Sequence, residues 1–239
     1  MIVGIMQPYF FPYIGYFQLM RAVDCFVFHD DVQYIKGGWI NRNRILVNEQ
    51  ASWLTLPVEK ASHDFAINSR RYQLENKVTL SIQRQVAGAY KNSPLFPEVE
   101  ELMTEFLSFD DANVAEFNRN HLIGLAETLG LSCQFVRSSD IEKNHKLKGQ
   151  DRVIDICRSL GATHYINPIG GIDLYAERDF ANAGMQLRFL KARPTTYTQF
   201  GGAHVPFLSI IDVLAFNSLQ EIIPLLSNYE TLRAPARAN

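Results

Sequence analysis

Ile2-Val-Gly-Ile-Met-Gln-Pro-Tyr-Phe-Phe-Pro-Tyr-Ile-Gly-Tyr-Phe17 decides how this chain is read. Ile2 to Met6 is a short apolar run of the kind a buried strand shows. Gln7-Pro8 stops it, because proline brings no N–H to a ladder and fixes its own φ. With prolines at 8 and 12, Tyr9 to Pro12 has no room for helix or sheet, so a loop is expected. From Tyr13 the spacing turns helical, with Phe17, Met20 and Arg21 following at steps of three and four. Gly15 falls at the loop-to-helix junction, where a backbone without a Cβ can approach a ligand or a neighbouring strand. A strand, a tight loop and a helix N-terminus together form a site for phosphate or carboxylate in α/β folds. The glycine spacing is not the dinucleotide fingerprint, and no phosphate-loop lysine motif is present. The plainer alternative is that the aromatic residues only pack the first helix onto the sheet. Gln7, Tyr13 and Tyr16 argue against it, since polar groups at a strand's carboxyl end call for a partner.

Downstream, Asp24-Cys-Phe-Val-Phe-His-Asp-Asp31 supplies a second buried strand at Cys25 to Phe28. Strand, helix and strand within about 30 residues form a βαβ unit, so a parallel pair with a right-handed crossover is expected. The carboxyl ends of both strands then share one edge, with Gln7 near Asp30 and Asp31. In Val32 to Ile45, Gly37-Gly38 hinges a turn, and Asn41-Arg42-Asn43-Arg44 alternates as a strand does. Both arginines fall on one face and both asparagines on the other. Paired arginines suit phosphate or carboxylate; the alternative is a solvated edge strand that carries charge against aggregation.

The 239 residues are 47% apolar and 20% charged, as in a globular protein with a full core, and one α/β domain over 1–239 is expected. The formal charge of −2 argues against a broad nucleic-acid surface and leaves a local basic patch open. Cys25, Cys133 and Cys157 lie far apart, in no metal or redox spacing, and read as reduced buried thiols of a cytoplasmic protein. No metal or flavin signature is seen. No leader is read before the first strand, and no apolar run approaches the length of a membrane span.

After an apolar run at Trp53 to Val58, helices are expected at Asn76 to Tyr90, from Pro94-Leu-Phe-Pro97 to about Phe106, and at Asn113 to Leu129 with Gly130 as its stop. The section of about 76–130 is thus helical and structural, with His121 as a surface histidine. Strands follow at Cys133 to Val136 and His164 to Asn167, with a helix at Val153 to Leu160 between them. His164-Tyr-Ile-Asn167 runs into Pro168-Ile-Gly-Gly171 and a helix at Ile172 to Phe180. That repeats the opening logic and places Asn167, Gly170 and Gly171 on the edge that holds Gln7. Met185 to Leu190 reads as the last strand. The polar-aromatic loop Arg193 to Pro206, with Tyr197 and Gln199, is long enough to be functional. Ser209 and Asp212 stand in capping-box spacing, so they either cap a helix or reach a ligand. Residues 233–239 read as a loose tail. The pattern predicts a mostly parallel, Rossmann-like (nucleotidylyltransferase-like) sheet flanked by helices, with a helical middle section.

Six motifs in order carry a family resemblance: Gln7-Pro8, Pro12 to Phe17, Asp30-Asp31-Val32-Gln33-Tyr34, Asn41 to Arg44, Gly161-Ala162 leading to Tyr165, and Leu208 to Asp212. Together they resemble the WbqC-like protein family from the first strand to Asn217. The chain departs at Ile166 to Gly171, where Ser-Gly-Pro would be expected, which implies a different ligand contact at Asn167. The resemblance implies a role in bacterial surface-polysaccharide (O-antigen, lipopolysaccharide) biosynthesis. The implied reaction is an amide, glycyl or other acyl, formed on the amine of a nucleotide-linked amino sugar. On that basis Asp30 or Asp31 orients or deprotonates the amine. Gln7, Tyr13 and Asn167 donate to the sugar or the acyl oxygen, and Arg42 and Arg44 hold the diphosphate. Pro8, Gly15, Tyr16, Gln33, Asn43, Gly170, Gly171, Tyr197, Gln199, Ser209 and Asp212 complete the substrate-binding set, with the Arg193 to Pro206 loop closing over it. The donor is left open among aminoacyl-tRNA, an acyl carrier protein and ATP with a free acid. Pro8 and Tyr13-Ile14-Gly15-Tyr16 are also similar in layout to the Pro…His-Ile-Gly-His signature of adenylate-forming synthetases, with tyrosine at both histidine positions. The rival readings are therefore an ATP-dependent ligase and a non-catalytic sugar-nucleotide-binding subunit.

Overall fold

The computed structural model describes residues 1–233. The opening unit forms as expected: β1 (Ile2–Met6), α1 (Ile14–Ala22) and β2 (Cys25–Phe28), with β1 and β2 parallel and Val3 opposite Cys25. The Asp24 carboxylate accepts the Ile2 N–H at 2.7 Å and ties the two strand starts together. Side chains leave a strand on alternate faces. Val3, Ile5, Cys25 and Val27 therefore pack into one apolar cluster, and Phe26 and Phe28 into the other. Gly4 faces α1, where a Cβ would press on Val23 at 3.2 Å and Leu19 at 3.3 Å, so the missing side chain lets the helix lie close.

A hairpin then leaves the main sheet: β3 (Arg42–Val47) and β4 (Gln50–Thr55), antiparallel in a sheet of their own. Asn48 and Glu49 turn it with φ of 49° and 61°, the positive values a two-residue hairpin turn requires. The helical middle follows as α2 (Asn76–Tyr90), α3 (Phe96–Leu107) and α4 (Val114–Thr128), the last capped by the Asn113 side chain on the N–H groups of Ala115 and Glu116. The chain returns through β5 (Gln134–Arg137), α5 (Gly149–Ser159), β6 (His164–Pro168), α6 (Glu177–Asn182), β7 (Gln186–Ala192), α7 (Ile210–Phe216), α8 (Leu219–Leu225) and β8 (Tyr229–Arg233).

The six-stranded sheet runs β5-β2-β1-β6-β7-β8, parallel except for β8. Without the inserted hairpin this is the doubly wound order, and the winding reverses between β1 and β6, where such sheets open a crevice for ligands. Helices α5 and α6 cover one face, while α1 and the helical middle cover the other.

Two expectations are corrected. Met185 to Leu190 is not the last strand, because Tyr229–Arg233 adds an antiparallel edge to β7, with Arg188 opposite Arg233. That short, half-exposed strand has no apolar run to announce it. Arg233, read as the start of the tail, is its last residue, and 234–239 lie outside the described residues. The helix expected at Ile172 to Phe180 is instead a 3₁₀ stretch at Ile169–Leu174, a break at Tyr175, and α6, whose first turn holds Glu177 and Asp179.

Candidate functional site

A cavity of about 660 Å³ opens at the carboxyl ends of β1, β2 and β6, where the winding reverses. Each strand delivers one polar side chain to its wall: Gln7, His29 and Asn167. The loop after β1 adds Tyr9, Pro12 and Tyr13, the hairpin side adds Trp39, Asn43 and Arg44, and the turn after β6 adds Gly170, Gly171 and Tyr175. Among the described residues the lining includes no carboxylate, and its positively charged side chain is Arg44. A wider hollow of about 830 Å³ lies between α2 and α3, lined by Leu80, Arg84, Phe96 and Glu100, and takes no residue from the strand ends of the sheet. The sheet-edge cavity is therefore the candidate site.

Its floor is a loop held from every side. The Phe11 backbone sits at φ 39°, a left-handed conformation that costs a residue without special partners. Asn43 Nδ2 donates to the carbonyls of Phe10 (3.2 Å) and Phe11 (2.9 Å), and Ser209 Oγ donates to Phe11 at 2.7 Å. Asn118 Nδ2 donates to the Pro8 and Ile40 carbonyls at 2.9 and 2.7 Å, and the Phe11 N–H donates to His121 Nε2. His121 is 1% exposed, so it is a core clamp and not the expected surface histidine; its place on α4 turns it inward against Phe10 and Phe11. Asn43 thus does structural work even though it reaches the cavity wall.

Tyr13 and Gly15 act together. A Cβ on Gly15 would run into the Tyr13 ring, so the glycine makes room for that tyrosine and not for a ligand. Tyr16 is buried, its hydroxyl donating to the Gln7 carbonyl at 2.9 Å, and stands outside the wall. Gln7's side-chain amide makes no hydrogen bond within the described residues, which leaves both its donor and acceptor for a ligand. Gly171 likewise yields its space to Asn167, whose Oδ1 accepts from Tyr165 at 2.9 Å and whose Nδ2 donates to the Pro168 carbonyl.

The arginines share a face of β3 as expected, but their surroundings differ. Arg42 lies over Trp53 and donates to the carbonyls of Gly37 and Gly38, outside the cavity wall. Arg44 lines the cavity, donates Nη2 to the Phe207 carbonyl at 3.3 Å and keeps a buried Nε without a partner.

Asp30 and Asp31 follow β2 but turn away from the wall. Asp30 is 2% exposed and accepts from the Ser139 N–H at 2.9 Å and the Ser139 hydroxyl at 2.6 Å. Asp31 pairs with Lys143 at 2.8 Å and Arg152 at 2.6 Å and accepts from Ser138. Burial works against its charge, and these donors override it, taking the carboxyl down to about 2. Both carboxylates fasten the end of β2 to the segment after β5. The residue of this strand end that does reach the wall is His29, a position the sequence reading passed over although it matches Gln7 in the neighbouring strand. Burial pushes its imidazole down to about 4, and its Nε2 is buried without a partner among the described residues.

Six further expected residues, Pro8, Gln33, Tyr197, Gln199, Ser209 and Asp212, stand outside the wall. Pro8 is buried and offers its carbonyl to Asn118. Gln33 is exposed and donates to the His63 carbonyl. Asp212 is fully buried and accepts from Tyr90 (2.9 Å), Tyr197 (2.5 Å) and Gln199 (2.7 Å). It makes no capping box with Ser209: Ser209 caps α7 on the Ile211 N–H, while Asp212 clasps the 193–206 loop from below. That loop ends at Phe207, which does line the cavity, at φ 57°. The thiols lie elsewhere, with Cys133 and Cys157 pushed up by burial to about 11 and about 12. Among the described residues no helix is long and apolar enough to cross a membrane.

An uncharacterised protein of Mycobacterium tuberculosis, Rv1507c, is 27% identical over 215 residues, covering 89% of this chain and 92% of its own. No solved structure matches. The WbqC-like protein family model matches residues 7–223, from Gln7 just after β1 to α8, and the chain belongs to that family.

Proposed function

We propose that the cavity binds a nucleotide-linked amino sugar and that the chain moves an acyl group, glycyl or another, onto the sugar's amine during O-antigen or related surface-polysaccharide synthesis. The observation that carries this reading is the composition of the wall. Three amide side chains, several aromatic rings and one arginine, with no carboxylate among the described residues, suit a hydroxyl-rich sugar next to a phosphate. In the reaction the amine nitrogen attacks the acyl carbon. A C–N bond forms, the donor's C–O or C–S bond breaks, and the amine's proton passes to the departing oxygen or sulfur. His29, neutral at pH 7, accepts a hydrogen bond from the amine and takes this proton in transit. Gln7 donates to the acyl oxygen as negative charge builds there. Holding both reactants at the strand ends supplies the remaining rate through proximity.

The binding-subunit reading has one observation in its favour: Asp30 and Asp31, the carboxylates that follow β2, are committed to Ser139, Lys143 and Arg152. The test is to supply the purified chain with a nucleotide-linked amino sugar and, in parallel, glycyl-tRNA or an acyl carrier protein thioester, and to look for the amide by mass spectrometry. Product that disappears in His29→Ala supports the transferase. Saturable sugar-nucleotide binding with no product from either donor favours the binding subunit, and absence of binding rejects both.

A further inference from the structure

Four side chains stand in a row beside the cavity mouth, in the order Arg42, Trp53, Trp39 and Arg44, the two indoles tilted by 44°. The Arg42 guanidinium carbon is 4.0 Å from the centre of the Trp53 ring, the two indoles are 5.4 Å apart, and the Arg44 guanidinium carbon is 5.8 Å from Trp39. The hairpin register builds this order: Arg44 stands directly across from Trp53, and Trp39 comes in from the turn before β3. The indoles are held in place yet remain 38% and 46% exposed. Trp39 and Arg44 belong to the cavity wall, and the exposed Ile35, Leu174 and Phe207 share its rim. Large apolar side chains gathered on one rim mark a binding surface.

We infer that this row of side chains is a nucleobase platform. The base of a nucleotide lies against Trp39 at the rim, its phosphate meets Arg44, and the group the phosphate carries points inward to Gln7, His29 and Asn167. The inference rests on the sugar-nucleotide reading and adds the direction in which the ligand lies. Aromatic faces take any base, and a guanidinium is matched to phosphate. Their adjacency here follows the order of base and phosphate in a nucleotide. The occupant is a small nucleotide and not a nucleic-acid strand. The formal charge of the chain is −2, and Arg42 is taken up by the Gly37 and Gly38 carbonyls, which leaves Arg44 as the arginine on the cavity wall among the described residues. A strand needs a row of cations along its backbone.

The chain contains two tryptophans, Trp39 and Trp53, so indole fluorescence reports from this platform and nowhere else. The full chain and its Trp53→Phe variant, in which Trp39 is the only indole, are titrated with UDP, ADP, UDP-glucose and glucose 1-phosphate. The expected result is saturable quenching of Trp39 by the ligands that carry a base and none by glucose 1-phosphate. In calorimetry Trp39→Ala weakens UDP-glucose binding by about tenfold or more, and Trp39→Phe restores most of it. Preference for ADP over UDP keeps the platform and assigns it to an adenine nucleotide. UDP-glucose binding that leaves Trp39 emission unmoved, or that Trp39→Ala does not weaken, overturns the platform while the sugar-nucleotide reading stands. Binding of glucose 1-phosphate with no nucleotide binding overturns both. A single-stranded oligonucleotide bound far more tightly than UDP replaces the small nucleotide by a strand.

Discussion

His121 Nε2 accepts the backbone N–H of Phe11 at 3.2 Å, and the two rings stack with their centres 4.5 Å apart. This contact joins α4 to the loop after β1 and helps hold the positive φ of Phe11, a conformation that by itself costs on the order of 1–3 kcal/mol. It needs an unprotonated Nε2, with the proton on Nδ1 donated to the Phe117 carbonyl at 3.1 Å.

Stability should therefore fall on acidification. Burial takes His121 from 6.5 to about 3 and His29 to about 4. Between those values and 6.5 the unfolded chain binds protons that the folded chain refuses, so the contribution is complete above about pH 6.5 and is lost progressively below it. Thermal unfolding at pH 7.5 and 5 should show a lower midpoint at pH 5. His121→Gln should cost about 2 kcal/mol at pH 7.5 and flatten the pH slope. An unchanged slope would mean that His121 is not a neutral acceptor.

Asp31→Asn should destabilise the fold before it touches binding. The Lys143 side chain is fully buried, and losing its carboxylate partner strands a cation, at a cost of about 3–5 kcal/mol. Asp31 is held down at about 2, so its contribution is present above its ordinary 3.8 and disappears as pH falls through 2. Urea unfolding and sugar-nucleotide titration of the variant separate the two roles. Full stability with lost turnover would return Asp31 to the chemistry.

The strand-level architecture was legible because β1, β2 and β6 are buried on both faces and appear as short apolar runs. Their order then forces Gln7 and Asn167 onto one edge, and both line the cavity. The direction of side chains past a strand end was not legible. His29, Asp30 and Asp31 are consecutive, and only tertiary partners, Ser139, Lys143 and Arg152, decide which of them turns outward. Gly15 and Gly171 misled for a related reason, since the space each leaves is filled by a side chain of this same chain. Asp212 has cap spacing in sequence, but Tyr90, more than a hundred residues away, competes for its carboxylate.

Arg44 and Arg42 should separate on mutation. Arg44→Ala should weaken nucleotide-sugar binding by about 1–3 kcal/mol with little loss of stability. Arg42→Ala should loosen the Gly37-Gly38 turn and the Trp53 contact and weaken binding less. Calorimetric titration of both variants decides, and equal losses would place both guanidinium groups on the ligand.

Asp212→Asn should free the 193–206 loop. The carboxylate accepts from Tyr90, Tyr197 and Gln199, and burial raises its pKa. An amide offers one oxygen where three donors converge and brings its own donors into the cluster. Limited proteolysis should cut the variant between Tyr197 and Val205 while the rest of the chain resists. Unchanged resistance would show that the loop holds without this clasp.

The adenylate-forming alternative makes a separate demand on the same loop. Activating an acid with ATP requires positive charge or strong donors aimed at the phosphate undergoing attack, and losing one such donor typically costs on the order of 100-fold in rate. Tyr13 and Tyr16 occupy the positions where the synthetase signature has histidines. Burial raises the pKa of both, so they stay neutral phenols. Tyr16 is further withdrawn, its hydroxyl spent on the Gln7 carbonyl. His29, the imidazole in the wall, is uncharged at pH 7 because burial holds it near 4, which leaves Arg44 as the positive charge facing the cavity among the described residues. One guanidinium can hold a phosphate but does not replace a cluster of donors around a pentavalent centre. The purified chain should therefore exchange no pyrophosphate into ATP with glycine or other short acids, and should take its acyl group already activated. Robust exchange would put the ATP-dependent ligase first, and its loss in Arg44→Ala would then locate that chemistry in this cavity.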